Sequence, residues 1–323
     1  SDRYSFVDVD ELGLLEENDT YMQKHIDAVL ELDGVNVDAI RKANFKVVCD
    51  CVNSTGGIFI PALLKALGVE NIIELYCEPT GNFPHNPEPL PENLTAIADK
   101  IRSEGADVGF VVDPDVDRLA MVCEDGSMFG EEYTLVAVAD YILSQTPGNT
   151  VSNMSSTRAL RDVTEKHGGS YSASAVGEVN VVDQMKATNA IIGGEGNGGV
   201  IYPGLHYGRD ALVGIAFFLS HLATSGKSCS ELKASYPEYH ISKNKIQLTP
   251  QIDVDKILLS MKAKYAHLPV NDTDGVKIEF DSEWVHLRKS NTEPIIRIYS
   301  ESSTIEKANE LADRIKKDIN DLI

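Results

Sequence analysis

The sequence has no apolar run approaching the ~18 residues of a membrane span, and Ser1-Asp2-Arg3-Tyr4 is not the start of a signal peptide. A reducing cytoplasm is therefore the expected location. Basic residues are scarce: 29 Lys and Arg stand against 50 Asp and Glu, giving a net charge of -21. Such a surface repels nucleic acid and anionic membrane, so neither is an expected partner, and a phosphate ligand would need a locally positive pocket. Cysteine is sparse and odd in number; Cys49, Cys51, Cys77, Cys123 and Cys229 read as reduced core thiols. Cys49 and Cys51 read as too close for an unstrained bridge, with side chains on opposite strand faces, and no second pair completes a zinc site. Low-complexity tracts are absent too, and 42% hydrophobic with 24% charged residues is the composition of an ordinary folded protein.

What is present is enough chain for two or three domains, since 323 residues exceed what one core usually holds. After a short acidic segment, 1–17, residues 21–32 read as a helix. Residues 45–49 then read as a buried strand, 53–57 as a glycine-rich turn and 58–67 as a helix closed by Gly68. Strands at 72–76 and 108–112 flank a proline-rich loop, 79–91, and a helix, 94–104. A second cycle follows the Glu124-Asp125-Gly126 turn: helix 133–143, strand 150–154, helices 157–167 and 179–187, strand 190–192 and helix 210–222. This alternation argues for two α/β domains with mainly parallel sheets, 18–125 and 126–236, without a direct sequence repeat. The last part, 237–323, alternates strands near Ile246 and at 276–280, 284–287 and 295–299 before a terminal helix, 304–323, and reads as a smaller α+β domain.

Directly beyond the apolar strand 108–112 stand Asp113, Asp115 and Asp117, every second residue. A loop at the carboxyl end of a strand can turn all three toward one point, where open α/β sheets bind their ligands. Hard carboxylate oxygens without His or Cys favour Mg²⁺ or Ca²⁺ over Zn²⁺. A solvated acidic turn is the plainer alternative. An EF-hand loop would fit Asp113, Asp115, Asp117 and Glu124, but Arg118 stands where that loop needs Gly and a strand precedes it.

Asp113-Pro114-Asp115-Val116-Asp117-Arg118 resembles the metal-binding loop of the alpha-D-phosphohexomutases, the family of phosphoglucomutase, phosphomannomutase and phosphoglucosamine mutase. The resemblance implies that Asp113, Asp115 and Asp117 hold Mg²⁺ together with a phosphoserine, and that Arg118 is a catalytic cation facing the site.

Gly194, Gly196 and Gly199 follow a strand at dinucleotide-fingerprint spacing, yet Val200-Ile201-Tyr202-Pro203-Gly204 cannot readily open the helix such a site requires. The segment instead resembles the family's sugar-recognition loop. Glu195 and Asn197 then stand where a carboxylate and a small polar residue hydrogen-bond the sugar's 3- and 4-hydroxyls, and a carboxylate can accept two hydroxyl hydrogens. At Gly199 several members carry His, so any acid or base role is unfilled here unless His206 substitutes. A glycine-rich turn without function is the alternative.

Arg288, Ser290, Asn291, Thr292 and Arg297 concentrate guanidinium, hydroxyl and amide donors between two expected strands. Such a loop can cradle a dianionic phosphate. It is similar to the family's C-terminal phosphate-binding loop. Weaker family-like segments include Met154-Ser155, Val176-Gly177-Glu178 and Tyr207-Gly208-Arg209-Asp210, which read singly as structural. The family's Ser-His-Asn-Pro loop is missing; Phe83-Pro84-His85-Asn86-Pro87 imitates it with Pro84 in the serine's place.

The resemblance therefore implies a phosphohexomutase, an intramolecular phosphotransferase of the isomerase class. It would move a phosphoryl group between C1 and C6 of a hexose or hexosamine phosphate through a phosphoserine and a hexose 1,6-bisphosphate. The chain is expected to be the family's second to fourth domains and to be inactive alone. A non-catalytic phosphosugar-binding module is the alternative from another class.

Overall fold

The computed structural model describes residues 5–247, 253–290 and 295–322. In the first unit, β1 (Lys46–Asp50), β2 (Asn71–Leu75), β3 (Val108–Val112) and β4 (Leu119–Cys123) form a sheet of order β2-β1-β3-β4, with β4 antiparallel to β3. All five residues of β3 are buried, as an unalternating Val-Gly-Phe-Val-Val run covered on both faces must be. The second unit repeats the arrangement. Its strands β5 (Asn149–Asn153), β6 (Tyr171–Ser174), β7 (Ala190–Glu195) and β8 (Gly199–Ile201) order as β6-β5-β7-β8, again with an antiparallel last hairpin.

The third unit is antiparallel: β9 (His240–Gln247), β10 (Val270–Asn271), β11 (Val276–Glu279), β12 (Trp284–Lys289) and β13 (Ile295–Ser302) order as β10-β11-β12-β13-β9. The helices Val254–Lys264 and Ile305–Asn320 share its core. Two α/β units followed by a smaller α+β unit is the fold class expected from the alternation of elements.

One hydrophobic core joins the first two units. Helices Glu131–Gln145 and Ala211–Ser225 are apolar on most faces because they lie between layers, and Phe129, Phe217 and Phe218 meet Phe110, Tyr202 and Tyr236 edge-on within it. The third unit docks on the second through polar contacts. Ser155 Oγ bonds His286 Nδ1 at 2.9 Å, Lys277 Nζ donates to the Met154 carbonyl at 2.9 Å, and the Arg158 amide donates to Glu301 at 3.1 Å. No helix among the described residues is long and apolar enough to cross a membrane.

Three local expectations change. The 119–123 run and the 199–201 triplet are strands, because each folds back on its predecessor after a tight turn. Val254–Lys264 forms a helix capped by Asp253, and its buried residues Ile257, Leu258 and Met261 are too few for a strong periodic signal. Cys49 and Cys51 share a face rather than opposing one another, since a two-residue step returns a strand to the same side; with Cys77 their sulfurs lie within 4.8 Å.

Candidate active site

The aspartate loop is the turn of the β3–β4 hairpin, where the chain must reverse at the carboxyl end of a buried strand. Val116 takes φ 61, a left-handed conformation unusual for a β-branched residue, and its carbonyl accepts from the Ala211 amide at 3.1 Å. Ser54 and Thr55 hydroxyls donate to the Pro114 carbonyl at 2.9 and 2.7 Å and hold the loop from below. This turn brings carboxylate oxygens of Asp113, Asp115 and Asp117 within 4.8 Å of one another.

The three differ in environment. Asp113 is fully buried; its Oδ1 accepts from the Asp117 and Arg118 amides at 3.1 and 3.0 Å, and its Oδ2 from Arg118 Nε at 2.6 Å. Burial nevertheless pushes its carboxyl up to about 6 against the Arg118 backbone bond, with Asp117's charge adding to the rise. Asp115 is exposed. Asp117 Oδ1 is buried and accepts no hydrogen bond, with Arg118 Nε 3.6 Å away. An all-oxygen donor set with an orphaned buried carboxylate oxygen fits a hard divalent cation. Arg118 also pairs with Glu88 at 2.5 Å, so its guanidinium is held between two carboxylates.

The sugar loop is the turn of the β7–β8 hairpin, the equivalent place in the second unit. The Leu119 amide donates to the Gly198 carbonyl at 3.1 Å, tying the two turns together. A Cβ on Gly196 would lie 2.0 Å from Glu132 Oε2, and one on Gly198 would lie 2.3 Å from the Leu119 carbonyl oxygen. Glu195 is buried; its Oε1 accepts from Asn153 Nδ2 at 2.7 Å and the Gly177 amide at 3.1 Å, and its Oε2 from Arg209 Nη1 at 2.6 Å. Those bonds use three of a carboxylate's four acceptor positions, which leaves room for one further donor rather than two. Asn197 is half-buried and turns its Oδ1 to the Gly199 amide at 3.2 Å.

Arg209, part of a weak family-like segment that reads singly as structural, is the residue whose place in the site the sequence did not reveal. Its guanidinium bonds Asp117 Oδ2 and Glu195 Oε2, and its Nε stands 3.1 Å from Glu178 Oε2 in an ion pair without hydrogen-bond alignment. It thereby joins the aspartate loop to the sugar loop. A Cβ on Gly199 would lie 2.3 Å from Arg209 Cδ, so the glycine gives this arginine its path. The available signal was Asp210, an N-cap before an apolar run, with Arg209 just outside it. His206 does not face the sugar loop's polar atoms; its Nε2 bonds Asp210 Oδ2 at 3.0 Å beside His25 at 2.8 Å. Despite burial, which would raise it, hydrogen bonds from both histidines hold Asp210 below the usual carboxylate range. His85 is likewise occupied, bonding Asp50 Oδ2 at 3.1 Å, so the 83–87 segment is anchored to β1.

In the third unit, Arg288 and Arg297 are direct cross-strand partners on β12 and β13, and Lys245 on β9 is opposite Arg297. Three cations in one rung repel each other, and an anion placed across them removes that cost. Asp274 offsets Arg288 at 3.6 Å while its Oδ2 accepts from the Val176 amide at 3.0 Å, next to the Gly177 amide that bonds Glu195. Ser290 is buried, and its amide donates to the Ile295 carbonyl at 3.1 Å. Asn291 and Thr292 lie outside the described residues.

Comparison with known proteins bears on these three loops together. Family models described as phosphoglucomutase/phosphomannomutase alpha/beta/alpha domain II, alpha/beta/alpha domain III and C-terminal domain match residues 23–126, 130–239 and 247–318. A probable phosphoglucosamine mutase of Methanopyrus kandleri is 32% identical over 307 residues, covering 94% of this chain and 67% of that protein. A phosphoglucomutase/phosphomannomutase of Thermococcus kodakarensis is 35% identical over 302 residues, covering 93% and 65%. The crystal structure of a phosphoglucomutase/phosphomannomutase family protein from Burkholderia thailandensis has a TM-score of 0.81 at 27% identity, covering 94% and 65%. The chain spans about two thirds of the length of these relatives.

Proposed function

The chain belongs to the phosphoglucomutase/phosphomannomutase family, and from that premise we propose that it carries the cation-binding, sugar-binding and phosphate-binding parts of a phosphohexomutase. The substrate is a hexose or hexosamine phosphate, and the reaction moves a phosphoryl group between C1 and C6 through a hexose 1,6-bisphosphate. The observation that carries this reading is the Asp117–Arg209–Glu195 bridge, which sets a hard-cation site beside a hydroxyl-reading carboxylate.

In this reading Asp113, Asp115 and Asp117 hold Mg²⁺, and the bound ion supplies neutralising charge beside the phosphoryl group in transfer. Arg118 stays against Asp113 and keeps that carboxylate aimed inward. Glu195 accepts one sugar hydroxyl through its remaining acceptor position, and Asn197 contributes its amide. Arg288, Arg297, Ser290, Asn291 and Thr292 hold the phosphate that is not reacting. A sugar that exchanges its two ends must present hydroxyls to the same residues in both orientations. The phosphoserine is contributed by residues other than these, so this chain alone performs no turnover.

Calorimetric titration with glucose 1,6-bisphosphate in Mg²⁺, beside mutase assays on glucose, mannose and glucosamine 1-phosphates, tests the reading. Binding that weakens in Asp117→Asn and Arg297→Ala is expected. Activity is expected only from a polypeptide joining this chain to a serine-bearing first domain. Turnover by the chain alone overturns the assignment of the nucleophile elsewhere. Binding with no turnover by the joined polypeptide makes the protein a phosphosugar-binding module, and no binding at all overturns the site.

A further inference from the structure

A second cluster of metal-type donors lies in the first unit, away from the carboxylates in chemistry. Cys49 sits in β1, Cys51 directly follows it, and Cys77 follows β2. Because β1 and β2 run parallel with Asp50 beside Leu75, the chain leaves both strands at one end and the three thiols converge. Their sulfurs lie within 4.8 Å of one another, and Cys49 Sγ stands 3.8 Å from Cys77 Sγ. Thiolates bound at ~2.3 Å to one zinc-class ion sit about 3.8 to 4.0 Å apart. The Cys49–Cys77 pair is thus already at coordination spacing and Cys51 is close enough to join it, whereas a disulfide needs sulfurs at about 2.05 Å.

The backbone on either side is held in costly conformations. Val52 and Asn53, just after Cys51, take φ 47 and 52, and Tyr76, just before Cys77, takes φ 52. Left-handed Val and Tyr are rare and persist where surrounding bonds impose them. Here Asp50 Oδ1 accepts from the Val52 amide at 3.0 Å, and the Tyr76 carbonyl accepts from the Asn53 amide at 2.7 Å. Gly57 permits the approach, since a Cβ there would lie 2.0 Å from the Cys77 carbonyl oxygen.

We propose that Cys49, Cys51 and Cys77 form a three-thiolate site for a thiophilic divalent cation of the zinc class. Glu74, opposite Cys49 in the sheet, adds negative charge. A monovalent ion would leave two thiolate charges uncompensated where a divalent ion leaves one. As each metal–sulfur bond forms, the S–H bond breaks and its proton goes to water. Cys49 and Cys51 are fully buried and Cys77 half-buried, so a solvent water completes the shell on the Cys77 side. The site also bears on the aspartate loop, because the turn after Cys51 carries Ser54 and Thr55, which hold the Pro114 carbonyl.

The test is titration of the reduced chain with Co²⁺ in excess Mg²⁺, which carboxylates accept and thiolates do not. One equivalent of Co²⁺ is expected to give a sulfur-to-cobalt charge-transfer band that Zn²⁺ abolishes, and the band should weaken severalfold in Cys77→Ser. Cys229→Ser, which disrupts the separate Cys123–Cys229 pair, should leave it unchanged. Should Cys77→Ser fold poorly, alkylation of the unsubstituted chain gives the same answer: one equivalent of Zn²⁺ should slow labelling of Cys77 at least tenfold. Absence of the band, a band lost only in Cys229→Ser, or a Cys49–Cys77 disulfide forming in place of metal binding each overturns the proposal.

Discussion

The first and second units build the same four-stranded sheet and use its last hairpin differently. The β3–β4 turn concentrates three carboxylates around a strained Val116, whereas the β7–β8 turn is made of glycines that let backbone and side chains from elsewhere come close. One turn is therefore specified by charge and the other by the absence of side chains. The strand ends of the second unit have a further task, since Met154, Ser155, Arg158 and Val176 receive the third unit. A common topology fixes where the two turns lie, and composition decides what each can hold.

The largest effect is expected at the residue that serves both turns. Arg209→Met leaves Asp117, Glu195 and Glu178 without their shared cation, and loss of one partner from a buried ionic cluster costs about 3–5 kcal/mol. Urea denaturation checks this, and a loss below about 1 kcal/mol would mean that the two turns are held together by other contacts.

Next comes the charged turn alone. Asp117→Asn is expected to lower Mg²⁺ affinity by about 100-fold in calorimetry. The glycine turn should retain its fold in that variant, and an equal loss of stability in both units would break the division of labour.

The docking of the third unit on the second is read through pH. Burial holds His286 down to about 4, against an ordinary value of 6.5. Between those values the unfolded chain binds the proton and the folded chain does not, so this histidine's contribution is complete above pH 6.5 and is lost as pH drops toward 4, while Asp113, raised to about 6, and Glu132, raised to about 8, act in the opposite sense. The difference corresponds to on the order of 3 kcal/mol. Thermal melts of the unsubstituted chain beside His286→Gln isolate it: the difference between their melting temperatures should shift against the unsubstituted chain as pH drops through this window.

The smallest effect belongs to the glycine turn. Gly196→Ala forces a Cβ to within 2.0 Å of the half-buried Glu132, a repacking cost of about 1–3 kcal/mol in denaturant melts, with Mg²⁺ affinity preserved. A fall in Mg²⁺ affinity as large as that of Asp117→Asn would show that the turns are not separable.

Local signals were readable where one segment decides its own structure. The apolar runs of β1, β3, β12 and β13 lie in short stretches, and each strand appears where the pattern placed it. Residues whose role depends on distant chain were not readable. Arg209 gains its meaning from Asp117 and Glu195, which are 92 and 14 residues away. Cys77 meets Cys49 only because β1 and β2 pair in parallel, a fact no local pattern carries. β8 was hidden for a different reason: glycines disguise a strand as a loop when their lack of side chains serves a close neighbour.

The bond from the Leu119 amide to the Gly198 carbonyl works as a ruler. Both ends are backbone, so no ordinary side-chain replacement removes either group. The span from the carboxylate turn to the glycine turn can thus stay constant while Glu195, Asn197 and their neighbours vary, so the contents of one turn can change without moving the other.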